Sequence, residues 1–120
     1  SGAPAGARSY AVTLFDPDAR SGKGWWHWLV FDIPPTSNGF VEGGPVPRGA
    51  VEGTSDFGLQ GYQGPCPPKG SGEHHYVFTV YALDVEHLPL DAKVKGPQAL
   101  ETLRHHAVGV ATVQFLYGRP

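Results

Sequence analysis

Along residues 9–15 the chain reads Ser-Tyr-Ala-Val-Thr-Leu-Phe. Tyr10, Val12 and Leu14 then fall on one side of an extended strand, and Ala11, Thr13 and Phe15 on the other. The strand is expected to stop at Asp16-Pro17-Asp18, because proline restricts the residue before it and aspartates hydrogen-bond nearby amides. Residues 21–24 read as a loop. Residues 26–33 predict a second strand, apolar on both faces except for His27 and Asp32, as a strand interior to a sheet or sandwich would be. Pro34-Pro35 ends it. Residues 36–56 are rich in Gly and Pro, with a short extended piece at 49–52, and 57–72 form a long connection. Residues 75–84 give the clearest strand, with Tyr76, Phe78 and Val80 on one face and Val77, Tyr81 and Leu83 on the other. A helix is predicted over 96–107. Pro97 suits its first turn, Gly109 lies just past its end, and Leu100, Leu103 and Ala107 form its apolar stripe. A last strand follows over 108–117. The pattern is that of a mainly β, mostly antiparallel single domain over residues 1–120, with one or two helices and no internal repeat.

Composition narrows the picture. At 120 residues with 17 Gly, 12 Pro and 17% charged residues, the chain suits a loop-rich β fold rather than a helical bundle. This length buries enough surface to fold without a metal or disulfide staple. Nine basic against eleven acidic side chains give a formal charge of −2, which argues against a nucleic-acid partner and against a polybasic membrane anchor. No apolar run approaches the ~18 residues of a transmembrane segment. The single cysteine, Cys66, excludes an intrachain disulfide and a multi-thiolate zinc site. With no methionine in the sequence, the chain is expected to be preceded by residues not included in it. Its opening, residues 1–7, lacks a charged-then-apolar signal pattern. The cytoplasm is the expected compartment, with the periplasm or secretion left open because the N-terminus is not native.

Residues able to do chemistry gather at three interruptions of the pattern: Asp16 and Asp18 at a strand end, His27 among Trp25, Trp26 and Trp28, and His74-His75-Tyr76 at the start of the clearest strand. Strand ends and their loops are where β-sandwiches build sites. Each also has a plainer reading. Asp-Pro-Asp is a common turn, and a histidine among aromatic residues is commonly a hydrogen-bonded core residue. Gly64-Pro-Cys-Pro-Pro68 alone is a rigid loop. His105 and His106 suit a helix C-terminus, and His87 carries no motif.

Taken in order, Asp16-Pro-Asp-Ala19, Trp25-Trp-His-Trp28, Gly61-Tyr-Gln-Gly-Pro-Cys-Pro-Pro68, Gly72-Glu-His-His-Tyr76 and Tyr81-Ala-Leu-Asp84 resemble the phosphatidylethanolamine-binding protein (PEBP) family, in its bacterial Raf-kinase-inhibitor-like branch, over nearly the whole chain. The resemblance implies a PEBP-like antiparallel β-sandwich with one or two peripheral helices. It further implies a small pocket for phosphate or phosphorylethanolamine-like head groups, lined by Asp16, Asp18, Trp25, His27, Gly64, Pro67, Pro68, His74 and Tyr76. A protein kinase or protease partner and a homodimer are also implied, with no catalytic residue, metal or cofactor. Two features depart from the family. Arg20 stands where the family usually has proline, and the sequence lacks the N-terminal strands that normally precede Ser9.

Two aspartates beside a phosphate are unfavourable, since like charges ~4 Å apart repel by about 4 kcal/mol at an effective dielectric of 20. The pocket therefore requires that Asp16 or Asp18 accept hydrogen bonds from His27 or His74 and from loop amides. Imidazole N–H groups, the Tyr76 hydroxyl and the amides of residues 64–66 would then face the anion. The tryptophans would exclude water and receive an ammonium group. The alternatives are a metal-dependent or Cys66–His hydrolase in the same pocket, and a protein-interaction module with a vestigial pocket. Against the hydrolases, the sequence has no His-x-x-x-His, no carboxylate triplet and no serine or cysteine beside an evident base.

Overall fold

The structure, a computed structural model, describes residues 6–19, 23–35, 47–61 and 72–119. The elements run β1 (Ser9–Asp16), β2 (Trp25–Ile33), β3 (Val51–Glu52), β4 (Gly72–Leu83), α1 (Gly96–His106) and β5 (Ala107–Arg119). The strands form one five-stranded sheet in the order β3-β2-β1-β4-β5, with every pairing antiparallel. The mainly β, antiparallel architecture is the one the sequence pattern predicts, and α1 is the helix among the described residues. No helix among the described residues is long and apolar enough to cross a membrane.

Strand boundaries differ from the sequence reading where distant pairing decides them. β4 starts at Gly72 rather than at residue 75 because β5 pairs with it along its length, from Leu83 opposite Ala107, past a bulge at Val108, to Gly72 opposite Arg119. Ladder hydrogen bonds outweigh the weak strand preference of Gly and Glu there. α1 ends ahead of Gly109. Ala107, at φ −72° and ψ 129°, passes straight into β5, and Gly109 instead pairs with Ala82.

Both faces of the sheet carry apolar side chains. On one, Ala11, Leu29, Phe31, Tyr81 and Leu83 pack with Leu88, Val94 and the α1 residues Ala99 and Leu103. The inward line of α1 is thus Gly96, Ala99 and Leu103, while Leu100 and Ala107 of the expected stripe are half-buried. On the other face, Val12, Leu14, Trp28, Val30, Ile33 and Tyr76 cluster with Phe78 and Phe115. Val80, on the same face of β4 as Tyr76 and Phe78, is 40% exposed.

The two polar residues that interrupt β2 lie at its two departures from regular pairing with β1. Leu14 faces Trp28 and Phe15 faces Trp26, so His27 is the extra residue of a bulge. The second shift lies between the Tyr10–Ile33 and Val12–Val30 pairs and contains Asp32, in the left-handed region at φ 57°. Asp32 is held there by accepting the Leu88 N–H at 2.8 Å. The first bulge determines the site. Trp25, opposite Asp16, and His27 share the Tyr76 face, whereas Trp26 lies on the helix face with its ring 4.5 Å from that of Phe15.

Trp26 also seats the helix. Gly96 is buried, and a Cβ there would overlap the Trp26 indole. Gly96→Ala is therefore expected to destabilise the protein by about 1–3 kcal/mol through overpacking. Urea unfolding should show a lower midpoint at unchanged slope, and an unchanged midpoint would contradict this seating.

Candidate functional site

β1 is the central strand, and its last residue is a carboxylate only 1% exposed. Pro17 turns the chain immediately afterwards, and the turn folds back on Asp16. Oδ1 accepts the N–H groups of Asp18 (2.9 Å) and Ala19 (3.1 Å). Oδ2 lies 2.6 Å from Nδ1 of His74 on the neighbouring strand β4. His74 is 7% exposed. A carboxylate against Nδ1 calls for a proton on that nitrogen, so it fixes the tautomer and the orientation of the ring.

Asp18 serves a different histidine. Its Oδ2 accepts the His75 backbone N–H at 2.6 Å and lies 2.8 Å from His75 Nδ1. Successive residues of a strand point to opposite faces, so His74 pairs inward with Asp16 while His75 pairs outward with Asp18 on an exposed surface. The Asp18 carboxyl is held below its ordinary value of 3.8, chiefly by the His75 backbone N–H and next by the His75 imidazole. Asp18 thus hydrogen-bonds His75, and His74 adds only a smaller charge interaction. The sequence places His75 among the residues able to do chemistry but leaves it out of the expected pocket lining and does not foresee its pairing with Asp18. The available signal was its place in a His-His pair on a strand antiparallel to one ending in Asp-x-Asp.

His27 is 3% exposed. The bulge aims its ring at Tyr76, 5.3 Å away at 70°, and at Phe57, 5.4 Å away at 67°. Tyr76 is fully buried. It stacks on Phe115 at 5.4 Å and lies nearly parallel to His74 at 6.4 Å. His27 and His74 therefore converge on one phenol ring from strands on either side of β1. Trp25 completes the ring-lined end through an edge contact with Phe57 at 5.3 Å.

Phe57 was read from sequence only as the start of a connection. It is placed by a tight turn in which Gly58 N–H donates to Ser55 O (2.9 Å) and Phe57 N–H to Ser55 Oγ (3.2 Å). Asp56 anchors the turn by accepting the Trp26 N–H at 2.8 Å. Trp28 donates its indole N–H to Glu52 at 2.8 Å and ties β2 to β3. Of the sequence candidates, Asp16, Trp25, His27, His74 and Tyr76 come together here and Asp18 lies at the rim. Gly64, Pro67 and Pro68 fall outside the described residues, as do Arg20 and Cys66. Among the described residues no three His, Cys, Asp or Glu side chains are grouped to hold a metal ion. His106 instead bonds Asp84 at 2.9 Å, joining the end of α1 to the chain after β4.

Comparison with known proteins gives a consistent result. The family profile described as phosphatidylethanolamine-binding protein matches residues 1–118. The UPF0098 protein YbcL of Escherichia coli (strain K12) is 43% identical over 123 residues, spanning 98% of this chain and 67% of the relative. The UPF0098 protein YbhB of the same organism is 39% identical over 119 residues, 95% of this chain and 75% of the relative. The crystal structure of E. coli YbcL, described as a new member of the mammalian PEBP family, superposes with a TM-score of 0.88 at 42% identity. It covers 100% of this chain and 77% of that one.

The Asp18 bonds give a pH test. A depressed carboxyl pKa stabilises the fold above the unfolded value of 3.8 and loses that contribution as pH falls through the lower folded value. Carboxyl NMR titration should place the Asp18 midpoint below 3.8. In His75→Ala the midpoint should rise only part of the way back, since the backbone N–H persists. A wild-type midpoint at or above 3.8 would show that the pair does not form.

Proposed function

The chain belongs to the phosphatidylethanolamine-binding protein family, and from that premise we propose that the ring-lined end of its sheet binds a small phosphate-bearing head group of the phosphorylethanolamine type. The observation that carries this reading is the Asp16–His74 contact of 2.6 Å. A buried carboxylate would repel a phosphate, but both oxygens of Asp16 are engaged by two amides and an imidazole. Its charge holds His74 in place and does not act on the guest alone. His74 in its imidazolium form, with Nδ1–H on Asp16, would donate Nε2–H to the anion beside the His27 imidazole and the Tyr76 hydroxyl, and hydrogen bonds to a charged partner are roughly twice as strong as neutral ones. Trp25 and Phe57 wall the end and offer ring faces to an ammonium group. In this reading the histidines are donors to a bound anion rather than bases in a reaction.

Calorimetric titration with phosphorylethanolamine tests it. The wild type should bind, and His74→Gln and His27→Gln should each weaken binding about tenfold, the 1.4 kcal/mol typical of one lost charge-assisted hydrogen bond. Thermal melts of the variants separate this loss from unfolding. Absence of binding by the wild type, or wild-type affinity in both folded variants, would contradict the reading.

A further inference from the structure

Trp25 is shared between the ring-lined end and a separate cavity of about 320 Å³, lined by Lys23, Gly24, Trp25, Asp56 and Lys95. The backbone fixes both lysines at its margin. Gly24, in the left-handed region at φ 89°, closes the β1–β2 connection by donating its N–H to Ala19 O at 2.9 Å, which sets Lys23 just before β2. Lys95 immediately precedes α1 in extended conformation and makes no side-chain cap bond. Neither ammonium forms an ion pair with a described residue. Among the described lining residues the carboxylate is Asp56, tethered through Oδ2 to the Trp26 N–H. The described lining thus offers two positive charges, one fixed negative charge and an indole.

That charge pattern is complementary to an α-amino-acid group. Its carboxylate would meet Lys23 and Lys95, which act as point charges towards carboxylates. Its ammonium would meet Asp56 and the Trp25 ring. We propose that this cavity is a subsite for the amino-acid portion of a phosphoserine-type ligand, whose phosphate occupies the His27–His74 end. The inference rests on the head-group reading above and sharpens it. A phosphorylethanolamine group fills only the phosphate and ammonium positions, whereas a phosphoserine group adds the carboxylate that the two lysines lack. The same chemistry is present in free O-phosphoserine and in the serine head group of a phospholipid.

O-phosphoserine and phosphorylethanolamine differ by that carboxylate alone, so the pair isolates the subsite. By calorimetry the wild type should bind O-phosphoserine about tenfold more tightly. The double variant Lys23→Ala/Lys95→Ala, which alters two exposed side chains, should lose this preference and keep its affinity for phosphorylethanolamine within about twofold. Glycerophosphoserine identifies the source: tighter binding than O-phosphoserine assigns a lipid head group, and weaker binding assigns the free monoester. Equal wild-type affinities would overturn the subsite, as would a preference that survives in the variant. Loss of both ligands in the variant would overturn it too, by showing that the lysines hold the phosphate. If the wild type binds neither ligand, the head-group reading fails and the subsite with it.

Discussion

A carboxylate withdrawn from water at the end of a central strand has to be satisfied by the chain around it. Leaving such a charge unmatched costs several kcal/mol, and at Asp16 the surrounding structure is organised to avoid that cost. Pro17 ends the strand so that the amides of Asp18 and Ala19 can turn back onto Oδ1. β4 extends to Gly72, which brings His74 alongside Oδ2. The length of β5 matters for the same reason, because its pairing keeps the first residues of β4 in the sheet. Turn, strand length and imidazole orientation meet at one carboxyl group.

The paired arrangement of Asp16 with His74 and Asp18 with His75 sorts charge by face. One couple lies inside, beside Tyr76, and the other lies outside in solvent. Strand alternation does the sorting, with no loop rearrangement needed. The same alternation puts Trp26 under α1 while Trp25 stands with the site. The helix is thereby anchored within one residue of the ring-lined end, although it contributes no side chain to it.

Much of this was legible in the sequence: β-branched and aromatic runs marked β1, β2 and β4, a last strand was expected where β5 lies, and the proline-led apolar stripe marked α1. The pattern-breaking residues also named most of the site: Asp16, Trp25, His27, His74 and Tyr76. What stayed hidden depended on non-local contacts. Alternation alone cannot register an inserted residue, so His27 and Asp32 read as blemishes in an apolar strand when they mark its bulges. Phe57 reached the site through a turn pinned to Trp26 by Asp56, a link with no local sequence signature. Gly109 looked like a helix terminator, yet Ala107 ends the helix because pairing with β4 begins there.

The bulge in β2 has a consequence for how the architecture and the histidine relate. Since Leu14 pairs with Trp28 and Phe15 with Trp26, the ladder skips His27, which is supernumerary to it. Excising that residue would let the two strands zip without a gap and leave all three tryptophans on the faces they already occupy. The strand register therefore does not depend on this position, and the sheet can present an imidazole there without giving up a ladder pair.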